Sequence, residues 1–271
     1  MVRLTFLLKR FSASHEYDPA YLHLEQIFSA QLNLSTYLKN VYGMTQPIQT
    51  SNTFLRDEVC RIGKSLFERG YVHGSTGNIS VRVPAEQGGG FLITPTDACL
   101  GFLEPDALAW VNEQGQQISG DRASKTLALH RRIYSCVPTA GCVVHTHSSY
   151  LVDLTLRGVW HPDDIVPPLT PYYVMKVGHV PLIPYFLPGD VQVAEHLAQR
   201  VAQYQARGLT LRAVMCDRLG PQVWGATPAA AMATLEELEE TAKLWLRGQC
   251  TAQPLSEAAI QALRETFKAS W

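Results

Sequence analysis

Residues 141–149 read Gly-Cys-Val-Val-His-Thr-His-Ser-Ser, which predicts a buried strand that ends on two imidazoles. The β-branched pair Val143 and Val144 favours the strand, and the polar Ser-Ser tail marks its end. Side chains at positions i and i+2 of a strand point to the same face, so His145 and His147 can bind one metal ion. The alternative is a pair of hydrogen-bonded histidines in a core or pocket.

The composition bounds the class of protein. The chain has 271 residues, enough for one large domain or one domain with appendages. Its 23 Lys and Arg against 24 Asp and Glu, with no basic tract, argue against a nucleic-acid partner. The sequence contains no run of about eighteen apolar residues, which argues against a membrane span. The six cysteines are scattered without a CxxC pair, which favours reduced thiols in a cytoplasmic protein.

The first fifty residues differ from the rest, and we expect residues 1–50 to be an N-terminal appendage. Basic residues around a short apolar stretch resemble a weak targeting segment. Alternatively, residues 1–43 precede a misassigned start and translation begins at Met44. Residues 51–249 then form the main domain, and residues 250–271 form a C-terminal helical tail.

Helical spacing alternates with strand-like segments on both sides of the His145 strand. Helices are predicted between the caps at 51–53 and Gly70, over 124–134, over 191–204 and from Pro228 onward. We expect the acidic run of this last helix, Glu236–Glu240, to be a solvated face. Because hairpin signals intrude among the helices, the sequence predicts an α/β fold with a central mixed sheet and helices on both sides.

Polar loops interrupt the apolar segments at Gly74–Asn78, Thr94–Asp97 and Ser119–Lys125. The first offers backbone N–H groups of glycines together with Ser, Thr and Asn side chains, which are donors suited to an anion. Lys125 could add a cation near a helix start. Each loop alone is weak, because such residues usually make ordinary turns.

These motifs together resemble the class II aldolase/adducin family. The resemblance rests on Gly74–Arg82, Ile93–Thr96, Ser119–Asp121, Val144–Ser148 and Glu236–Lys243, in order along the chain. Within the family, the Pro-rich segments 167–173 and 180–190 are most similar to the 3-oxo-tetronate 4-phosphate decarboxylases. The resemblance implies an α/β/α sandwich, a homotetramer with sites at subunit contacts, and a divalent metal, typically Zn²⁺.

The resemblance also implies roles for individual residues. His145 and His147 match two metal ligands, and Tyr172 matches a tyrosine that protonates or positions substrate in a neighbouring subunit's site. The phosphate of a small phosphorylated sugar-acid substrate would be held by Gly77, Asn78, Thr96, Ser124 and Lys125. Asp97 departs from the small residue that is common at its position, and a carboxylate there is unfavourable near phosphate.

Two larger departures affect the mechanism. Thr126 stands where the family has a glutamate base, and Leu219 stands where it has a third metal histidine. Threonine is no effective base near neutral pH, and leucine cannot bind a metal. Asp217 could replace the lost ligand if its strand continues to Leu219, and His130, His161 and His179 are further candidates.

Two functions remain open from the sequence. The first is a metal-dependent carbon–carbon lyase, a decarboxylase or aldolase, that stabilises an enediolate. The second is a catalytically lapsed relative that keeps the fold for binding or assembly. The intact phosphate loops favour the first function, whereas Thr126 and Leu219 favour the second.

Overall fold

The computed structural model describes residues 52–271. The predicted appendage at residues 1–50, and with it the targeting or misassigned-start hypothesis, lies outside the described residues. No helix within 52–271 is long and apolar enough to cross a membrane.

One eight-stranded sheet runs through these residues, in the order β4-β3-β2-β1-β5-β8-β7-β6. The strands are β1 (Asn78–Arg82), β2 (Phe91–Ile93), β3 (Ala109–Val111), β4 (Gln117–Ser119), β5 (Cys142–His145), β6 (Leu182–Ile183), β7 (Ala213–Cys216) and β8 (Gly220–Gly225). All neighbouring pairs are antiparallel except β6 and β7, which are parallel. The predicted mixed sheet is therefore confirmed.

Helices cover both faces of this sheet. They are α1 (Thr53–Glu68), α2 (Leu127–Cys136), α3 (Ser149–Arg157), α4 (Gln192–Ala206), α5 (Pro228–Arg247) and α6 (Glu257–Phe267). One apolar cluster joins a sheet face to α1, α3 and α5, and a second joins the other face to α2 and α4. The architecture is the α/β/α sandwich that the sequence predicts.

Strand β5 lies in the middle of the sheet, and its residues alternate between the two clusters. Cys142 and Val144 belong to the cluster of α1, α3 and α5, while Val143 belongs to that of α2 and α4. Both faces are covered, which explains why this strand is apolar throughout rather than alternating. His145 has the parity of Val143, so it lies on the α2 and α4 face.

Helix α5 begins as predicted, but its acidic face differs from the prediction. Thr227 caps the helix by accepting the Ala230 N–H at 3.1 Å. The expectation of a fully solvated acidic face is wrong for Glu239, which is buried. Its carboxylate accepts the backbone N–H groups of Tyr150 and Leu151 at 3.0 and 3.1 Å, at the first turn of α3. A helix N-terminus attracts negative charge, so Glu239 serves as a distant cap for α3.

Candidate active site

The strand register places three polar side chains in one row across the middle of the sheet. Asn78 of β1 lies opposite His145 of β5, and His145 lies opposite Gln222 of β8. Paired residues on adjacent strands point to the same face, so all three side chains face the same layer. All three are also buried. A row of buried polar groups between apolar neighbours marks a candidate site.

The hydrogen bond of His145 determines which ring nitrogen is free. Its Nδ1 lies 2.9 Å from the backbone oxygen of Pro221, which can only accept, so Nδ1 carries the proton and donates. Nε2 then keeps its lone pair, as a metal ligand or proton acceptor requires. Burial, helped by the neighbouring His147, lowers the pKa of His145 to about 4. The ring is therefore neutral near pH 7.

His147 lies beyond the end of β5, yet its ring still meets that of His145. The two ring centroids are 5.0 Å apart with an interplanar angle of 63°. Two imidazoles bound to one tetrahedral zinc ion, with Zn–N bonds of about 2.1 Å, have centroids about 5 Å apart. Burial and the nearby His73 lower the pKa of His147. The pair suits two adjacent ligand positions of a metal ion.

His73 is the neighbour that sequence reasoning missed. Its ring centroid lies 6.4 Å from that of His147 in an edge-on arrangement, and its side chain is exposed. No spacing links residue 73 to residue 147, and the only signal was its place at the start of the first polar loop. The tertiary structure alone brings it to the pair.

The first polar loop packs directly against His145. Gly77 has φ +82°, and a Cβ added there would lie 2.8 Å from the backbone oxygen of His145 and 2.8 Å from Cγ1 of Val72. Only glycine tolerates that conformation and that approach. The Gly77–Asn78 segment is thus positioned at the end of the row formed by Asn78, His145 and Gln222.

Hydrogen bonds bring the second and third loops to the same edge of the sheet. The Thr94 hydroxyl accepts the N–H of Ile79 at 3.2 Å, which attaches the second loop to β1. The N–H of Ser124 donates to the Thr94 oxygen at 3.3 Å, and that of Thr96 donates to the Arg122 oxygen at 2.9 Å. Thr96 and Arg122 also line a cavity of about 490 Å³. The polar loops are therefore neighbours in space.

The third loop leads into the N-terminus of α2. The predicted helix at 124–134 begins only at Leu127, because Ser124 and Thr126 form a polar turn before it, with their hydroxyl oxygens 2.9 Å apart. Lys125 is exposed, and no carboxylate within residues 52–271 forms an ion pair with it. An unpaired cation beside a helix N-terminus suits an anionic ligand. Asp97 is exposed with φ +59°, a conformation that aspartate tolerates.

Three buried polar atoms on this face have no hydrogen-bond partner. They are Oδ1 of Asn78, Nε2 of His130 and Oε1 of Gln222. The other nitrogen of His130 lies 2.8 Å from the Ser80 hydroxyl, and burial lowers the pKa of this histidine to about 3. Buried polar groups normally find partners, so these atoms suit a polar ligand. Gln222 was absent from the predicted site, because an isolated glutamine in a strand carries no motif.

The turn at Asp217–Leu219 does not supply the missing ligand in the predicted way. Strand β7 ends at Cys216 and β8 begins at Gly220, so the chain reverses there, with Arg218 at φ +60°. The strand does not continue from Asp217 to Leu219, so these two residues do not share a strand face as the prediction required. Leu219 instead packs against the apolar cluster of α2 and α4.

The other histidine candidates are engaged elsewhere. Nδ1 of His161 accepts the N–H of Asp163 at 3.1 Å, and Nδ1 of His179 bonds the Asp164 carboxylate at 2.8 Å. Within residues 52–271, no group of three or more His, Cys, Asp or Glu side chains is arranged to hold a metal ion. The residues present therefore fit two ligands of the implied metal, His145 and His147.

Within residues 52–271, no hydrogen bond or ring contact joins Tyr172 to His145 or His147. Its side chain is 63% exposed, next to the short helical segment Tyr173–Val177. An exposed tyrosine is available to a neighbouring subunit's site.

The sequence is similar to that of known proteins of one family. Residues 57–246 match the model of the class II aldolase and adducin N-terminal domain. A 3-oxo-tetronate 4-phosphate decarboxylase of Cupriavidus necator is 54% identical over 222 residues, covering 80% of this chain and 97% of the relative. One of Escherichia coli K12 is 39% identical, covering 78% and 95%.

A solved structure is also similar to this chain in fold and sequence. YgbL of Escherichia coli, described as a candidate aldolase/epimerase/decarboxylase, superposes with a TM-score of 0.71 at 38% identity. The match covers 79% of this chain and 99% of YgbL. The chain belongs to the class II aldolase and adducin family.

Proposed function

We propose that this protein is a carbon–carbon lyase that releases CO₂ from 3-oxo-tetronate 4-phosphate or a closely similar phosphorylated sugar acid. The observation that carries the proposal is the meeting of His145 and His147 with the polar loops at one edge of the sheet. The names of the relatives supply the substrate. A small phosphorylated sugar acid carries two anionic groups, a phosphate and a carboxylate, and such a site can bind them at two different places.

The chemistry of the proposed substrate would explain how the reaction proceeds with Thr126 at the position of the family's glutamate base. In a 3-oxo acid the carboxylate is β to the ketone, so the C1–C2 bond breaks with its electrons moving to the C3 oxygen. CO₂ leaves, and a proton added at C2 completes the hydroxyketone phosphate. No proton has to be removed first, whereas aldol cleavage needs a base for a hydroxyl proton. The absence of a carboxylate at position 126 therefore favours decarboxylation over aldol cleavage.

The residues of the chain divide the work between anchoring and electrophilic assistance. Lys125, Ser124, Thr96 and the Gly77–Asn78 loop would hold the phosphate at the N-terminus of α2. His145 and His147 would hold a divalent metal, whose chemistry when bound is to polarise a carbonyl oxygen. Tyr172 of a neighbouring subunit would deliver or direct the proton at C2.

The test is CO₂ release by the purified full chain supplied with 3-oxo-tetronate 4-phosphate. We expect turnover by the parent, and a rise in KM of at least about 10-fold in Lys125→Ala, because a charge-assisted phosphate contact contributes about 1.5–3 kcal/mol. Lys64→Ala, an exposed lysine of α1 distant in sequence, is the matched control and keeps the parental KM. A parent that releases no CO₂ under any metal loading contradicts the proposal.

A lapsed relative used for binding is the second candidate, because Thr126 and Leu219 replace two functional residues. The double variant Thr126→Glu with Leu219→His separates the two. If it gains lyase activity that the parent lacks, the parent is a lapsed enzyme. If the parent is already active and the variant changes little, the lapsed candidate fails.

A further inference from the structure

We infer that His73 is the third metal ligand of this chain, forming with His145 and His147 a three-imidazole site. The inference rests on the proposed function and deepens it. It assigns a ligand at a position that the sequence motifs do not mark, on a different loop from Leu219.

The ring of His147 packs against the rings of both His73 and His145. His73 lies 6.4 Å from His147, and His147 lies 5.0 Å from His145, measured between ring centroids. A shared tetrahedral ion brings two rings to about 5 Å, so the His73 ring has to move by about 1–2 Å. An exposed side chain can change rotamer at little cost.

The backbone around His73 is held while its ring is free. The Thr76 hydroxyl accepts the N–H of His73 at 3.1 Å and donates to its carbonyl at 2.7 Å. Four residues later, Gly77 packs against the His145 backbone. The loop is therefore anchored beside the pair, and no hydrogen bond within residues 52–271 restrains the imidazole of His73.

Other donors in the described residues are less suitable. Leu219 is apolar and Asp217 lies in a hairpin turn. His130 is fully buried on α2 with Nδ1 bonded to Ser80. Nδ1 of His161 bonds Asp163, and Nδ1 of His179 bonds Asp164. Among the described histidines, His73 is the one besides His145 whose ring packs against that of His147.

Three neutral imidazoles with an open fourth position are a recognised catalytic zinc set. Such a site keeps the full double positive charge of the ion, because no carboxylate ligand neutralises it. A more positive site stabilises more strongly the negative charge that develops on the oxygen of a decarboxylating keto acid. The absence of a carboxylate at position 126 and a third imidazole from position 73 would therefore both make the site more positive.

The test titrates the metal-free full chain with Co²⁺ and follows the visible absorption that distinguishes tetrahedral from octahedral Co²⁺. We expect one tetrahedral Co²⁺ per chain in the parent. His73→Ala and His73→Gln should each lose the tetrahedral spectrum and bind at least about 100-fold more weakly, beyond the 10–100-fold typical of an outer-shell partner. His161→Ala, an exposed histidine outside the cluster, is the matched control and should bind as the parent does.

Adding Leu219→His to His73→Ala provides a rescue, since it restores a third imidazole near the pair by another route. Parental Co²⁺ affinity and spectrum in both His73 variants would overturn the inference, as would a parent that binds no Co²⁺. Measured CO₂ release separates this failure from that of the proposed function. An active parent with unchanged His73 variants refutes only the ligand, and a three-histidine Co²⁺ site without CO₂ release refutes only the activity.

Discussion

Gly77 shows how one residue connects the first polar loop, Gly74–Asn78, to the histidine pair. Its positive φ and its 2.8 Å approach to the His145 oxygen both require the absence of a side chain. Gly74 in the same loop also has a positive φ of 54°, but an added Cβ would have no atom within 4 Å. The two glycines therefore separate backbone strain from steric collision.

We expect Gly77→Ala to lower the free energy of unfolding by about 2–4 kcal/mol, because strain and overpacking add. Gly74→Ala should cost only the strain, about 1 kcal/mol. Urea denaturation of both variants measures the difference. Equal losses would mean that the contact between Gly77 and His145 relaxes without cost.

The buried His130 should make the stability of the fold decrease at acidic pH. Its pKa of about 3 in the folded chain is below the value of 6.5 that an unfolded histidine has, so the unfolded chain binds one more proton between these values. The stability that His130 contributes is therefore complete above pH 6.5 and is lost as the pH falls toward 3.

We expect His130→Gln to flatten the dependence of unfolding free energy on pH by up to about 1.4 kcal/mol per pH unit over this window. Denaturant titrations at pH 4.5, 5.5 and 7.5 measure it. The exposed His161→Gln should leave the dependence as it is. A parental slope in His130→Gln would show that His130 titrates normally in the folded chain.

At the scale of elements, α5 orients the helix that follows the histidine pair. Glu239 on α5 reaches across to the first N–H groups of α3, and α3 begins two residues after His147. Burial raises the pKa of this carboxyl in spite of the two N–H donors. The contact connects the family's acidic helix motif to the position of the site.

Glu239→Ala should therefore lower the unfolding free energy by about 2–3 kcal/mol, because it leaves one buried and one partly buried N–H group without an acceptor. Its exposed neighbour Glu240 pairs only with Lys243, so Glu240→Ala should cost less than about 0.5 kcal/mol. Thermal or urea unfolding gives both values. A similar small loss in the two variants would mean that water replaces the Glu239 cap.

For the whole molecule, the exposed position of Tyr172 leads to a prediction that two subunits share one site. If it serves a neighbouring subunit's site, Tyr172→Phe and His147→Ala damage different halves of one shared site. Each variant alone should lose at least about 100-fold in kcat. Mixed oligomers of the two should regain part of the activity, since some sites then combine an intact tyrosine with an intact histidine pair.

Mixing after mild dissociation and reassociation, with CO₂ release as the readout, measures this recovery. The same two proteins mixed without dissociation are the control. Mixed oligomers that stay inactive would mean that Tyr172 acts in the same subunit as the histidine pair. Full activity of Tyr172→Phe alone would place Tyr172 outside the reaction.

The amino-acid sequence by itself determined the layers of the fold, because apolar periodicity and turn residues act locally. The β5 strand, the capped start of α5 at Thr227 and the mixed sheet could all be predicted in this way. Strand spacing predicted that His145 and His147 face the same side, and the resemblance of the polar loops to a known family supplied the candidate phosphate residues.

Only the tertiary structure decided which distant residues meet. His73 reaches His147, Gln222 lies opposite His145, and Glu239 caps α3, each through contacts between residues far apart in the chain. Their positions depend on strand register and helix packing, which sum many weak interactions over the whole domain. The same packing turned the chain at Cys216 and removed Asp217 from the strand face that local pattern had allowed.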